Sequence, residues 1–326
     1  MATINPVIPD AGIRTAGRGK LAFAPALALL LSMIPANPVP AQRAEQRVIL
    51  IVESHASIHQ QAALGFEQGF GGAGQIERAY LGGSRHELDG MRSESIALLV
   101  AVGTQAARAA QGRFPGIPLL YCLALRPVEN DLVGGNVGGV TLDIDVPRQL
   151  ASIQEAFPQV RRIGVVYDDM TSGAIVEQGR HYLRPGVELV PRVARNPQDA
   201  ARSMENLLGS VLNRTDVFWM LWDPVVANPA NFRRLVQLSW NYKIPVVAPA
   251  RPFVEAGALM SIGPDYHKAG EQAAGMARQV LNHEVQLAEL RAIQPRDVKI
   301  TVNGEVARRL GIDFPRNLPR EVLSPP

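Results

Sequence analysis

The sequence contains a single cysteine, which excludes an internal disulfide and a lipid-attachment site. Cys122 cannot form an internal disulfide, and it lies too far along the chain to be the lipid-attachment cysteine of a signal peptide. A lone thiol in an apolar strand behaves as a small hydrophobic side chain. The six histidines are dispersed and show no HExxH or related spacing, so we predict no metal site and no cofactor.

Signatures of enzymatic chemistry are missing as well. The sequence has no GxSxG elbow, P-loop or kinase signature. Ser54 and His55 are neighbours along the chain, whereas a catalytic serine and histidine meet through the fold. No cluster of lysine and arginine with interleaved aromatic residues occurs, which argues against nucleic acid as a partner. We therefore predict a binding protein without catalytic residues.

The apolar run near the N-terminus is too short to span a membrane. Residues 21–34 form a run of about fourteen residues, whereas a spanning helix needs roughly 20. A basic stretch precedes this run, and the small residues Val39-Pro40-Ala41 follow it. This pattern predicts a signal peptide over residues 1–41 that is cleaved near Ala41, with an uncleaved anchor as the alternative. The mature protein is then expected in the periplasm, without a lipid anchor and as a monomer.

Length and composition indicate a globular chain with more than one domain. The 326 residues are 47% hydrophobic and 19% charged, and this length has room for two full cores. Removal of the signal peptide would take away three basic residues and one acid. The sequence pI of about 9.2 therefore overstates how basic the mature protein is.

The order of apolar runs repeats along the chain and predicts two similar halves. In each half a strand leads into a helix, two further strands follow, and the half closes on a glycine-containing strand. The paired segments are 47–54 with 162–169, 96–103 with 217–223, 117–118 with 244–245, and 137–142 with 257–263.

This repeat predicts an α/β protein with two doubly wound parallel-sheet lobes and a ligand cleft between them. We assign residues 42–143 to the N-terminal lobe and 144–282 to the C-terminal lobe. The segment 283–326 is expected to cross back to the N-terminal lobe.

Polar residues at the carboxyl ends of the predicted strands are the candidate ligand-binding residues, because ligands of such sheets bind at these ends. In the first half they are Ser54 and His55 after the first strand, and Thr104 before a helix. The serine and the threonine are equally suited to capping those helices. Tyr121, inside an apolar strand, suits either the core or the cleft wall.

The second half offers an equivalent set. Asp168 follows its first strand, in the place that residues 53–57 hold in the first half. The strand 217–223 ends in Trp222 and Asp223, which places a carboxylate beside an indole. We favour a ligand role for Asp223, although a turn before Pro224 would also explain it. Trp222 fits either the core or the floor of the cleft.

Several segments together resemble bacterial ABC transporter substrate-binding proteins of the tryptophan/tyrosine-type group. The resemblance covers the chain from about Arg47 to Pro315. It is carried by the segments NVGGVTLDIDVPRQL, FPQVRRIGVVYDD, DVFWMLWDPVV, IPVVAP, GALMSIGPDYHKAGEQAAGMARQVL and VKITVNGEVARRLGI.

The resemblance implies a type I periplasmic-binding-protein fold and delivery of a small molecule to the membrane permease of an ABC importer. By position, it implies that Thr104 holds a ligand carboxylate and Asp223 an ammonium group, with Trp222 and Tyr121 as apolar walls. An amino acid or an aromatic compound is then among the candidate ligands. A periplasmic sensor that presents its closed form to a membrane kinase remains an alternative, and an exported hydrolase is a weaker one.

Overall fold

Two β-sheets carry the fold of the computed structural model, which describes residues 46–72, 74–81, 91 and 93–323. The first sheet has the strand order β2-β1-β3-β4-β5, and all its pairings are parallel. Its strands are β1 Arg47–Val52, β2 Gln75–Tyr80, β3 Ile96–Val102, β4 Leu119–Ala124 and β5 Val137–Thr141. The helices α1 Ser57–Phe70 and α2 Thr104–Arg113 connect them, and a 3₁₀ turn at Ser93–Ser95 precedes β3. We call this unit lobe 1.

The second sheet has the order β12-β11-β10-β9-β8-β6-β7 and forms lobe 2. The stretch β7-β6-β8-β9-β10 repeats the order of lobe 1, and β11 adds to it antiparallel. The strands are β6 Arg162–Tyr167, β7 Glu188–Val193, β8 Val217–Trp219, β9 Val246–Ala248, β10 Met260–Pro264, β11 Val298–Asn303 and β12 Glu321–Leu323. The helices are α3 Val146–Ala156, α4 Asp169–Gly179, α5 Pro197–Asn206, α6 Pro229–Tyr242, α7 Arg251–Glu255, α8 Tyr266–Leu281 and α9 Gly304–Leu310.

Each sheet is buried on both faces, as parallel sheets covered by helices are. In β1, Val48 and Leu50 pack with α1 and α8, whereas Ile49 and Ile51 pack with α2 on the opposite face. Lobe 2 likewise has one apolar cluster on each side of its sheet. Continuous apolar strands therefore produced the layered α/β architecture that the sequence predicts.

The course of α8 differs from the predicted domain boundaries. The sequence places 266–281 in the C-terminal lobe and returns 283–326 to the N-terminal one. In the structure α8 leaves lobe 2 and packs along α1 of lobe 1, while β11 and β12 join the sheet of lobe 2. The physical reason is that the small residues on one face of α8 fit against α1 more closely than larger ones could.

Four elements of lobe 2 have no counterpart in the sequence interpretation, among them the helix α7 and the strand β12. The other two are β7, whose burial is incomplete, and the helix α5 that follows it. β7 lies at the edge of the sheet and contains Pro191, and proline weakens the signal of a strand. Within the described residues, none of the helices combines the length and apolarity that crossing a bilayer requires.

The contact between α1 and α8 leads to a stability prediction. A Cβ atom on Gly270 would overlap the carbonyl oxygen of Ala62, whereas one on Gly275 would come no closer than 3.9 Å to its nearest neighbour, Arg278. We expect Gly270→Ala to destabilise the protein by about 1–3 kcal/mol through overpacking. Gly275→Ala, the control in the same helix, should stabilise it by about 0.5–1 kcal/mol. Urea unfolding measures both, and equal effects would contradict the close packing.

Candidate functional site

The strand order of each lobe creates a switch point at which ligands of open α/β sheets bind. In lobe 1 this point lies between β1 and β3, whose chains continue in opposite directions across the sheet. In lobe 2 it lies between β6 and β8. The residues that follow these four strands are therefore the first place to look for a site.

Glu53 occupies the switch point of lobe 1. The backbone N–H of Gln105, in the first turn of α2, donates to Oε2 of Glu53 at 2.6 Å. Gly103 makes this approach feasible, because a Cβ there would overlap the Glu53 carboxylate. Its φ of +104° is also one that residues other than glycine rarely adopt. A carboxylate at a helix N-terminus is favoured by the free N–H groups and the helix dipole.

Hydroxyl groups beside Glu53 bind the protein itself. The hydroxyl of Thr104 accepts the N–H of Leu125 at 2.9 Å, after β4. Oγ of Ser54 lies 2.9 Å from Nδ1 of His59 and accepts the N–H of Ala56 at 3.2 Å. Neither hydroxyl caps the helix beside it, since the N-cap positions of α1 and α2 make no side-chain hydrogen bond to their helices. In place of simple helix capping, Thr104 therefore binds a neighbouring loop, and Ser54 binds its own loop and a side chain of α1.

The two histidines near Glu53, His55 and His59, have different surroundings. His55 is exposed and stacks on Tyr80, with ring centroids 4.3 Å apart. His59 is partly buried, and burial lowers its pKa while the negative charge of Glu53 opposes that shift. The neutral form of His59 is therefore favoured, and the Glu53 carboxylate is stabilised by the N-terminus of α2 instead.

Arg126 follows β4 and connects the two lobes. Nη1 donates to the carbonyl oxygen of Thr171 at 3.0 Å, and Nη2 donates to Oγ of Ser172 at 3.1 Å and to the carbonyl oxygen of Trp222 at 2.9 Å. Nη1 also pairs with Glu129 at 3.3 Å, and the side chain of Arg126 is 10% exposed. Nε is buried without a hydrogen-bond partner. The guanidinium group thus joins lobe 1 to both sides of the switch point of lobe 2.

Asp143, after β5, supports the loop that carries Arg126. Its Oδ2 accepts the backbone N–H of Arg126 at 2.8 Å. Burial raises the pKa of Asp143, while the hydrogen bond and positive charge of Arg126 oppose this. The sequence places Asp143 at a strand end but gives no reason to pair it with Arg126, which lies in another loop.

Asp223 lies at the switch point of lobe 2 but is turned away from solvent. Its side chain is 0% exposed. Oδ2 accepts the N–H of Asp168 at 2.9 Å, and Oδ1 accepts the N–H of Val225 at 3.0 Å. Because both oxygens bind backbone groups, this geometry favours the turn-forming alternative over contact with a ligand ammonium group.

Asp168 begins α4 and acts as its N-cap. Oδ1 accepts the N–H groups of Met170 at 2.9 Å and Thr171 at 3.1 Å. This is the ordinary use of an aspartate at that position. Its backbone N–H binds Asp223, so the two carboxylates together fix the first turn of α4.

Tyr121 lies in the core rather than on the cleft wall. Its side chain is 1% exposed, and its hydroxyl accepts the N–H of Ala292 at 2.8 Å. Burial raises the pKa of Tyr121. The neighbouring Cys122 faces the opposite apolar cluster, and burial raises the pKa of its thiol to about 12. Tyr121 therefore holds the crossover segment at 292, and Cys122 is an unreactive core residue.

Trp222 is half-buried and borders a cavity of about 300 Å³ between the lobes. Its ring packs edge-on against Phe253, with centroids 5.3 Å apart. The cavity wall combines lobe 1, lobe 2 and the crossover segments; it includes Arg126, Glu129, Asp143, Asp145, Gln149, Gln178, Trp222, Pro249 and Gln294. A volume of this size suits a small molecule.

Of the residues predicted from the sequence, only Trp222 borders this cavity. Arg126, Glu129 and Gln294 do so without having been predicted, because their roles depend on loops that meet only in the fold. For Arg126 the one sequence signal is a guanidinium that follows a strand end, and Glu129 and Gln294 have no such signal. Among the described residues, no group of three or more histidine, cysteine, aspartate or glutamate side chains could hold a metal ion.

Comparison with known proteins places the chain among binding proteins. Residues 87–323 match the family model described as ABC transporter substrate binding protein. A tyrosine-binding protein of Clostridioides difficile strain R20291 is 28% identical over 200 residues, which cover 56% of this chain. The match spans about half of that relative, 54% of its length.

Two solved structures share the fold. A substrate-binding protein with adhesive properties from Clostridium difficile, in a ligand-free open form, gives a TM-score of 0.69 at 23% identity, covering 86% of this chain and 99% of its own. The ABC domain in complex with L-Trp from Streptococcus pneumonia gives a TM-score of 0.60 at 22% identity, covering 86% and 100%. These likenesses confirm the predicted two-lobed α/β fold.

Proposed function

We propose that this chain, which belongs to the family of ABC transporter substrate-binding proteins, is the periplasmic subunit of an importer and captures a small solute between its lobes. The family consists of binding proteins rather than enzymes. The observation that carries the proposal is the cavity of about 300 Å³ whose wall is shared by both lobes and the crossover segments.

The mechanism of capture follows from the cavity wall, which both lobes share. A solute that contacts Trp222 of lobe 2 and the Arg126 loop of lobe 1 favours the closed arrangement over any open one. The permease then distinguishes the loaded protein by its closed surface. In this scheme the binding protein orients the solute and excludes water from it, and a separate ATPase supplies the energy for transport.

The first panel of solutes follows from the relatives. One relative is a tyrosine-binding protein and one solved structure holds L-Trp, so amino acids and aromatic compounds come first, followed by amines, purines and sugars. A solute that binds only the native state stabilises it by about 2.7 kcal/mol at a hundredfold excess over its dissociation constant. We expect one class to raise the melting temperature of the mature protein, 42–326, and to reduce its radius of gyration in small-angle scattering.

Trp222→Ala provides the variant for this screen, because the indole contributes apolar wall to the cavity. We expect it to weaken binding of the active compound at least tenfold in calorimetry. The control is Tyr182→Ala, an exposed aromatic residue, which should leave the affinity unchanged. Failure of every compound to stabilise the protein would contradict the proposed function.

The importer role has its own test. Cross-linking of the loaded, closed protein to membranes is expected to capture a permease. Capture of a membrane kinase without a permease would contradict transport and support the sensor alternative.

A further inference from the structure

The carboxylate of Glu53 lies where a ligand carboxylate would be expected to bind in lobe 1. It reaches the N-terminus of α2 at the switch point, with Oε2 2.6 Å from the backbone nitrogen of Gln105. Gly103 leaves the space that this contact needs. The helix has ten residues, so its dipole and its free N–H groups would otherwise favour an anion there. The protein itself supplies that anion.

The neighbouring strand ends are closed to an incoming carboxylate in the same way. After β4, the N–H of Leu125 donates to Thr104 and the N–H of Arg126 donates to Asp143. In lobe 2 the carboxylate of Asp223 receives the N–H of Asp168. Each of these backbone donors, which could hold an anionic ligand, is bound to a side-chain oxygen of the protein.

The charges around the cavity favour a cationic ligand over an anionic one. Glu129 and Asp143 line the wall together with Arg126. The terminal nitrogens of Arg126 already bind the carbonyl oxygens of Thr171 and Trp222, among other groups. Its Nε is buried and has no hydrogen-bond partner. A ligand carboxylate would have to displace these bonds and approach the acids, whereas an ammonium group would be attracted to them.

We propose that Glu53 determines the specificity of the cleft by acting as a built-in carboxylate, so that the preferred solute is an organic amine without a carboxylate of its own. This inference rests on the proposed function and names its solute class. Trp222 adds an aromatic surface to the cavity, which suits an amine with an apolar or aromatic body. The carboxylate of the corresponding amino acid is disfavoured by Glu53 at the switch point of lobe 1 and by Glu129 and Asp143 on the cavity wall.

Matched compounds that differ only in their charged groups test this proposal. The probes are tryptamine, tryptophan and indole-3-propionate, then tyramine, tyrosine and 3-(4-hydroxyphenyl)propionate, then cadaverine with lysine and agmatine with arginine. Calorimetry on the mature protein is expected to show at least tenfold tighter binding of an amine than of the amino acid or acid that matches it. Higher salt should weaken the binding of that amine.

Glu53→Gln separates the charge of Glu53 from its hydrogen bond, since the amide oxygen can still accept the N–H of Gln105. We expect the ratio of the amine affinity to the amino-acid affinity to fall at least tenfold in this variant. Glu53→Ala, which frees the helix N-terminus, should improve amino-acid binding further. The control Glu77→Gln removes an equal charge from an exposed pair with Arg47 and should keep the wild-type preference.

The outcomes distinguish this inference from the proposed function. Tighter binding of an amino acid or of a carboxylic acid by the wild-type protein would overturn the role of Glu53 and leave the substrate-binding function standing. An amine preference that survives in Glu53→Gln would also overturn it. Absence of binding by every probe and by the wider panel would overturn both. If Glu53→Ala fails to fold, Glu53→Gln alone decides.

Discussion

Replacement of Asp223 by alanine is expected to destabilise the protein by about 2–4 kcal/mol, because two backbone N–H groups lose their buried acceptor. Those groups belong to Asp168 and Val225. The first of them connects β8 to the start of α4, so the loss affects the junction of two elements as well as a turn. Urea unfolding measures the change in the free energy of unfolding.

The controls for Asp223 separate a structural role from a ligand role. Asp223→Asn keeps an acceptor oxygen and should lose less stability than alanine. Asp313→Ala changes an exposed aspartate and should remain within about 0.5 kcal/mol of the wild type. A variant Asp223→Ala that unfolds like the wild type but no longer binds solute would contradict the geometry and support direct contact with a ligand.

Replacement of Arg126 by alanine is the second change with a large expected effect, about 2–4 kcal/mol in the free energy of unfolding. Hydrogen bonds to charged groups contribute about 1.5–3 kcal/mol, and bonds that share one side chain are not additive. Arg126 donates to three groups of lobe 2, on Thr171, Ser172 and Trp222. We also expect the unliganded variant to have a larger radius of gyration, because these bonds connect the lobes.

Two further variants sharpen the test of Arg126. Arg126→Lys keeps the charge but cannot reproduce the planar fork of the guanidinium group, so its stability should be intermediate. Arg180→Ala removes an exposed arginine that pairs with Glu177 within one helix turn, and such pairs contribute about 0–1 kcal/mol. An unchanged denaturation midpoint and radius of gyration for Arg126→Ala would show that the lobes do not depend on this residue.

The sequence predicted the structure most reliably where a local residue pattern is enough to determine an element or the burial of a side chain. The predicted segment 96–103 forms β3 over Ile96–Val102. Asp265 precedes an apolar helical pattern, where aspartate is a preferred cap, and it accepts the N–H of Lys268 at the start of α8. Cys122, predicted as a small hydrophobe, is buried in the core.

The sequence predicted the structure least reliably where a contact joins two segments that lie far apart in the chain. The small residues of α8 are visible in the sequence, but nothing there identifies α1 as the surface they fit. Tyr121 reads equally well as core or cleft wall, and the difference depends on Ala292, which lies 171 positions away. The switch of α8 to lobe 1, and of β11 to lobe 2, follows from contacts of the same long range.

The sequence by itself determined the two-lobed α/β architecture, because alternating apolar strands and helices can bury their faces in few other ways. It also determined that the carboxyl ends of the strands carry polar groups, since those residues directly follow the apolar runs. Only the tertiary structure decided what these groups bind. Glu53 and Asp223 bind backbone N–H groups, and Arg126 reaches the opposite lobe, because the direction of a side chain depends on loops that meet only after folding.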